Sequence, residues 1–129
     1  MINYWAVLLA ALTAFALGGL WYSPVMFLKR WQREAGIDPA KTGRHPAYVF
    51  GLSFILVLIA AYLLARVLGP APALGDAVGT GLIVGIGWVA TSYGVNHLFA
   101  GRSVTLWAID AGYHAVKFAL FGLVLGLWH

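Results

Sequence analysis

The chain has no cysteine and very few charged residues. Without cysteine it has no disulfide, no thiolate metal site and no thiol nucleophile. Charged residues make up 9% of its 129 residues, whereas soluble domains carry about 25%. Hydrophobic residues make up 62%. A soluble domain of this length cannot bury so much apolar surface, so we expect lipid to cover much of the molecule.

Four apolar segments are long enough to cross a bilayer, for which about 20 apolar residues are needed. The sequence predicts helices over residues 4–27, 47–66, 77–99 and 104–128. The first segment lacks the basic n-region of a cleaved signal peptide, so we expect it to be retained. The predicted fold is all-α: one membrane domain over residues 1–129, with four transmembrane helices in one bundle.

Positive charge gathers between the first two apolar segments. Five of the eight Lys and Arg residues lie in the loop of residues 29–46. Basic loops stay in the cytoplasm, so this loop and the turn at Arg102 are predicted to be cytoplasmic and both termini non-cytoplasmic. In the loop, Phe27, Leu28 and Trp31 alternate with basic residues, a pattern typical of a short helix in the membrane interface.

The same loop supplies the predicted contacts with membrane lipids. An anionic lipid surface matches a juxtamembrane basic cluster better than nucleic acid does, and no nucleic-acid partner is expected. We predict that Lys29, Arg30 and Arg33 lie at the lipid surface. The alternative is that these charges serve only to orient the chain in the membrane.

The spacing of small residues predicts which helix faces meet, because close packing holds helices together in lipid. The first helix has a small residue at every fourth position, at Ala6, Ala10, Ala14 and Gly18. The third helix is small on two faces, and we therefore expect it to lie at the centre of the bundle. Small faces of this kind also serve homo-oligomers, which is an open alternative.

Three ionisable residues share one stripe of the last apolar helix. Asp110, His114 and Lys117 are spaced i, i+4 and i+7. Such groups are costly in hydrocarbon, so they face a bundle interior and commonly mark function. At i and i+4, Asp110 and His114 can pair directly, whereas Lys117 needs another partner.

Polar side chains from two other helices are expected to join this stripe. Asn96 and His97 end the third helix across a short turn, so either can bond Asp110. The candidate polar or ion site is Asp110, His114, Asn96, His97 and Lys117. The side chains expected to line it are Trp21, Tyr22, Ser23, Trp107 and Tyr113. The alternative is that the cluster only holds the helices together through hydrogen bonds.

Motifs for other chemistry do not occur in the chain. It has no HExxH or paired ExxH metal motif, no phosphate-binding loop and no nucleophile elbow. We therefore predict no metal, no cofactor and no catalytic residue.

Two blocks of the chain resemble one known family. The first is Gly-Gly-Leu-Trp-Tyr-Ser-Pro at residues 18–24, followed by Phe27 and Trp31. The second is Asn-His-Leu-Phe at residues 96–99, then Gly-Arg at 101–102 and Trp-Ala-Ile-Asp-Ala-Gly-Tyr at 107–113. Both resemble the bacterial membrane family called domain of unknown function 1761. The resemblance implies a small four-helix protein of the bacterial inner membrane, and it implies no established activity.

Three hypotheses for function, from different classes, follow from these patterns. The leading hypothesis is a small transporter or channel-like protein for a small solute or ion, in which Asp110 titrates or binds a cation. Asn96, His97 and His114 would tune Asp110, and Lys117 would act as an internal counter-charge. The second hypothesis is a structural or accessory subunit that binds lipid or a partner protein. A membrane-embedded enzyme is the third.

Overall fold

The structure is a computed structural model, and it describes residues 1–41 and 43–129. All regular secondary structure in these two ranges is helical. The helices are α1 (Tyr4–Trp21), α2 (Leu28–Ala35), α3 (Pro46–Leu68), α4 (Leu74–Phe99) and α5 (Val104–Leu127). Helices α1, α3, α4 and α5 are long and apolar enough to cross a membrane. The predicted all-α class is confirmed, and so is the prediction of four helices long and apolar enough to span a membrane.

Helix α1 ends at Trp21 and not near residue 27, where the sequence pattern placed its end. Pro24 has no N–H group to continue the helical ladder. The Ser23 hydroxyl donates a hydrogen bond to the Leu20 carbonyl at 2.7 Å, which satisfies one acceptor that the helix end leaves free. The chain then turns into α2, the short amphipathic helix expected in the basic loop.

The other helices begin and end close to the predicted positions. Helix α3 begins with Pro46, which is favoured in the first helical turn. Helix α4 begins at Leu74, before the predicted residue 77, and contains a π-helical segment, Gly85–Ala90. Helix α5 is capped by Ser103, whose hydroxyl accepts a hydrogen bond from the Leu106 N–H at 3.1 Å.

Helix α5, and not the third membrane helix α4, is the centre of the bundle. It contacts each of the other helices, while α3 packs mainly on α1. In its most apolar stretch 44% of α5 is buried, against 17–28% in the other three spanning helices. The expectation of a central α4 was wrong because its second small face is covered only in part. Gly81 and Gly94 lie against α5, whereas Gly87 lies in an exposed position.

Two glycines allow α4 and α5 to approach at backbone contact. A Cβ atom on Gly81 would clash with the Phe118 carbonyl of α5, and one on Gly122 would clash with the Ala77 carbonyl of α4. On the other side of the bundle, Ala6, Ala10 and Ala14 of α1 are fully buried. Small residues thus set the close packing that places the polar stripe of α5 inside the bundle.

Candidate functional site

The Asp110 carboxylate lies where three other elements meet α5. It sits six residues into the helix, which is about 9 Å from its start at Val104. Its Oδ1 accepts hydrogen bonds from the Tyr22 hydroxyl at 2.7 Å and the Trp31 indole N–H at 3.1 Å. Its Oδ2 lies 3.4 Å from His97 Nε2. The predicted partnership of Asp110 with the third membrane helix is therefore made by His97.

The turn between α1 and α2 brings both aromatic donors to the carboxylate. Tyr22 precedes Pro24, and Trp31 lies on the face of α2 that is turned toward the bundle. The rings of Tyr22 and Trp31 meet edge to face, with centroids 5.8 Å apart. The far end of α2 is fastened to the turn before α5. There the Arg102 guanidinium donates to the Ala35 carbonyl at 2.9 Å, and the Ser103 hydroxyl lies 3.0 Å from the Glu34 carboxylate.

The Tyr22 hydroxyl is held as a donor. Burial, and then the hydrogen bond to Asp110, raise the pKa of Tyr22 well above its ordinary value of 10.0. Tyr22 therefore keeps its proton through the physiological range and continues to stabilise the carboxylate.

His97 is oriented by the backbone of its own helix. Its Nδ1 lies 2.8 Å from the Tyr93 carbonyl, which only accepts, so Nδ1 carries a proton. Its Nε2 atom then faces Asp110 Oδ2 at 3.4 Å.

A cleft of about 360 Å³ opens beside this pair. Its volume lies in the range of small-molecule sites, roughly 300–1,000 Å³. Asn96, whose side chain is exposed, forms part of its wall beside His97 and Asp110. The lining residues are Trp31, Ala35, Ile37, Asn96, His97, Ala100, Arg102, Leu106 and Asp110. The cleft thus combines polar groups with an apolar wall.

Two tryptophans predicted to line the site instead donate hydrogen bonds to backbone carbonyls of neighbouring helices. The Trp21 indole donates to the Ile109 carbonyl of α5 at 2.9 Å. The Trp107 indole donates to the Ala90 carbonyl at 2.8 Å, where the π-helical segment of α4 ends. Irregular π-helical geometry leaves carbonyls available to side chains of neighbouring helices. Trp21 and Trp107 therefore set the helix positions around Asp110.

Two other residues predicted to line the site, Tyr113 and Ser23, also bond to backbone carbonyls. The Tyr113 hydroxyl donates to the Ala14 carbonyl of α1 at 3.3 Å. The Ser23 hydroxyl stays with its own helix end. Of the five residues predicted to line the site, Tyr22 bonds the carboxylate directly.

His114 does not form the expected pair with Asp110. Its Nε2 lies 3.1 Å from the Tyr93 hydroxyl, and the two rings stack with centroids 4.8 Å apart. Helical spacing brings His114 and Asp110 to one face, but donors from three other elements already surround the carboxylate. The Nδ1 atom of His114 is buried and has no hydrogen-bond partner among residues 1–41 and 43–129.

Lys117 lies in an aromatic enclosure deeper in the bundle. It is 6% exposed, and its Nζ atom lies 4.9, 5.6 and 6.0 Å from the ring centroids of Phe118, Tyr113 and Phe121. Aromatic faces attract a cation. Within the described part of the chain, no carboxylate lies at ion-pair distance from Lys117. The structure therefore separates Lys117 from Asp110 and its partners. We call Asp110, Tyr22, Trp31 and His97 the Asp110 cluster.

Sequence reasoning missed three residues of the site: Trp31, Tyr93 and Arg102. Trp31 was assigned to the membrane interface, although it lies in the same sequence block as Tyr22. Tyr93 precedes His97 by one helical turn, and that spacing was the available signal. Arg102 was interpreted only as a topology signal, because its reach to α2 depends on the fold.

Comparisons with known proteins identify a family and no activity. The family model described as "Protein of unknown function (DUF1761)" matches residues 5–126. Neither the curated proteins nor the solved structures contain a match. The match covers nearly the whole chain and includes every residue of the Asp110 cluster. The chain therefore belongs to the DUF1761 family of proteins of unknown function.

Proposed function

We propose that this membrane protein is a small transporter or channel-like protein whose cleft admits a proton or a small cation to Asp110. The observation that carries the proposal is the cleft of about 360 Å³, which has Asp110 and His97 in its lining. An ionisable carboxyl group inside a membrane bundle is costly and commonly marks an ion or proton path.

We infer that His97 Nε2 and Asp110 Oδ2, which lie 3.4 Å apart, can share a proton, and that this proton gives the cleft its chemistry. The proton can leave His97 Nε2 or Asp110 Oδ2 toward the cleft, since both residues line it. Its departure exposes a carboxylate that two fixed donors, Tyr22 and Trp31, already stabilise. A cation from the cleft can then replace the proton at Oδ2. The proposed elementary step is the exchange of a proton for a cation at Oδ2, while Tyr22 and Trp31 stay bonded to Oδ1.

A second function is favoured by the bonding of Oδ1. Tyr22 and Trp31 both donate to it, which ties α2 and the end of α1 to α5. In an accessory or structural subunit, holding these helices together would be the only role of Asp110. Hydrogen bonds between membrane helices contribute about 0.6–2 kcal/mol each. This alternative requires no exchange with the cleft.

Proton flux into liposomes distinguishes the two functions. Purified protein is reconstituted with a pH-sensitive dye inside the vesicles. An outward potassium gradient with valinomycin, which lets potassium leave, makes the lumen negative and drives protons inward. The wild-type protein should acidify the lumen. In Asp110→Asn an amide oxygen remains to accept from Tyr22 and Trp31, but the group no longer ionises. We expect flux to fall at least tenfold while the melting temperature changes little.

The matched control is Asp76→Asn, which removes a carboxylate from the exposed first turn of α4. Its flux should equal that of the wild type. Tight wild-type vesicles, together with a melting temperature that falls in Asp110→Ala and not in Asp110→Asn, would contradict transport and support the structural function.

We also propose that α2 and the Arg102 turn face the cytoplasm of a bacterial cell, with both termini on the other side of the inner membrane. The bond between Arg102 and Ala35 supports a common side for the basic loop and this turn. Arg66, near the end of α3, is the exposed basic residue of the opposite end. A Lys41→Cys variant in intact cells should resist an impermeant thiol reagent; labelling from outside would reverse the orientation.

A further inference from the structure

The cleft beside Asp110 has ionisable residues of both signs in its lining. Asp110 is half-buried beside His97, and the exposed Arg102 belongs to the turn that precedes α5. Arg102 keeps donors free for a ligand, because a guanidinium has five N–H groups and one Arg102 nitrogen bonds the Ala35 carbonyl. The Asp110 carboxylate would repel a purely anionic ligand, and the Arg102 guanidinium would repel a purely cationic one. Charge complementarity therefore favours a ligand with both charges.

The separation of these two residues limits the kind of zwitterion. Asp110 lies about 9 Å inside α5, and Arg102 lies before the first residue of that helix. An α-amino acid carries both charges on one carbon. Two charged side chains from different turns of the chain suit a zwitterion whose charges are several bonds apart.

Hydrogen-bond chemistry selects the type of cation. Asp110 Oδ2 and the amide oxygen of the exposed Asn96 are acceptors in the cleft lining. A primary ammonium has three N–H donors for such acceptors, whereas a trimethylammonium has none. At the other end, a phosphate suits the planar donor fork of Arg102.

From these observations we propose that the cleft binds a zwitterion of the phosphoethanolamine type, with its ammonium at Asp110 and Asn96 and its phosphate at Arg102. The inference goes beyond the proposed function, because it assigns a bound zwitterion to the same cleft. The apolar side chains of Ile37 and Leu106 in the lining suit the short carbon chain and glycerol of such a molecule. The ligand is either a lipid head group or the corresponding free phosphodiester, since both present the same chemistry.

Indole signals provide a direct binding assay. The chain has six tryptophans, so ¹⁵N-tryptophan labelling gives six indole signals in an NMR spectrum. Trp31 lines the cleft, while Trp128 lies at the opposite end beside Asn3 and Gly69 and serves as an internal control. The probes are soluble glycerophosphoethanolamine added to detergent-solubilised protein, and nanodiscs of phosphatidylethanolamine or phosphatidylcholine.

We expect Trp31 to shift saturably with the ethanolamine compound while Trp128 stays fixed. Arg102→Gln and Asp110→Asn should each weaken binding at least tenfold, and Arg66→Gln should leave it unchanged. A response to the soluble compound identifies the free solute, and a response confined to ethanolamine nanodiscs identifies a lipid head group. An equal response to phosphatidylcholine overturns the assignment of a primary ammonium.

The failures of the two proposals are separable. If Trp31 is silent with every probe while Asp110-dependent proton flux persists, the zwitterion is wrong and the proposed transport function stands. If Trp31 responds and the vesicles are tight, the cleft is a binding site and transport is wrong.

Discussion

Asp110 and Lys117 lie on one stripe of one helix, yet their surroundings differ in kind. Asp110 faces hydrogen-bond donors from three other elements and a cleft. Lys117 is nearly fully buried among aromatic rings, with no carboxylate at ion-pair distance in the described residues. A buried polar group with bonded partners stabilises a fold through them, whereas a buried charge without an ion-pair partner mainly costs desolvation. The two positions therefore have opposite effects on stability.

The largest difference between the two positions should come from removing each side chain. Asp110→Ala leaves Tyr22, Trp31 and His97 without their acceptor and should lower the free energy of unfolding by about 3 kcal/mol. Lys117→Met keeps the aliphatic bulk and leaves no buried partner unpaired, so stability should change by less than about 1 kcal/mol or rise. Equilibrium unfolding in mixed micelles measures both. Equal losses would show that Lys117 has a partner of its own.

A second test concerns the packing of α4 against α5 that buries Lys117. Gly81→Ala places a methyl group against the Phe118 carbonyl, next to Lys117, and overpacking of this kind costs about 2 kcal/mol. Gly87→Ala on the exposed side of α4 is the control, since its Cβ would meet only Ile83 Cγ2 at 4.0 Å. Its effect should stay within about 0.5 kcal/mol. Matching melting temperatures for the two variants would contradict the close α4–α5 contact.

The tyrosine hydroxyls of the two regions offer a finer comparison. Tyr22→Phe removes a 2.7 Å bond to the Asp110 carboxyl group and should cost about 1.5 kcal/mol. Tyr113→Phe removes a 3.3 Å bond to a neutral carbonyl and should cost about 0.5 kcal/mol. Thermal unfolding at constant pH measures this difference. The reverse order would mean that Tyr22 does not hold Asp110.

The raised pKa of Tyr22 adds a pH dependence to the same bond. Its contribution to stability is complete below the unfolded-state pKa of about 10. It declines as the pH rises beyond that value, because the unfolded chain then releases a proton that the folded protein retains. Tyr22→Phe should therefore lose less stability than the wild type between neutral and strongly alkaline pH.

The smallest effect is expected at the basic face of α2, outside the Asp110 cluster. Lys29, Arg30 and Arg33 are exposed there. One positive charge near an anionic membrane surface contributes about 1 kcal/mol. Arg30→Gln should reduce the preference for phosphatidylglycerol over phosphatidylcholine in native mass spectrometry. Arg66→Gln at the opposite end should not, and an equal reduction in both would contradict a lipid site on α2.

Much of this architecture could be predicted from the sequence because hydrocarbon imposes simple rules. Long apolar segments predicted the four helices that are long enough to span a membrane. The convergence of Tyr22, His97 and Asp110 also followed, since polar groups in a membrane bundle gather inside it. These predictions depend on composition and on short-range geometry.

The remaining features depend on contacts between distant segments. Trp31 reaches Asp110 only because the Pro24 turn folds α2 back onto the bundle. His114 turns to Tyr93 because α4 lies against that face of α5, and helical spacing alone could not distinguish this from a pair with Asp110. The central position of α5 likewise follows from which small face of α4 is covered.

Chemical modification inside the cleft tests the central claim most directly. The chain has no cysteine, so Asn96→Cys introduces a single thiol at the cleft wall, and Leu98→Cys introduces one at a position 80% exposed on the outer surface. Each variant is reconstituted, modified with a charged methanethiosulfonate reagent, and assayed for proton flux. The proposed function predicts that modification at position 96 reduces flux at least fivefold and that modification at position 98 does not. Unchanged flux with position 96 fully modified would contradict a path through the cleft to Asp110.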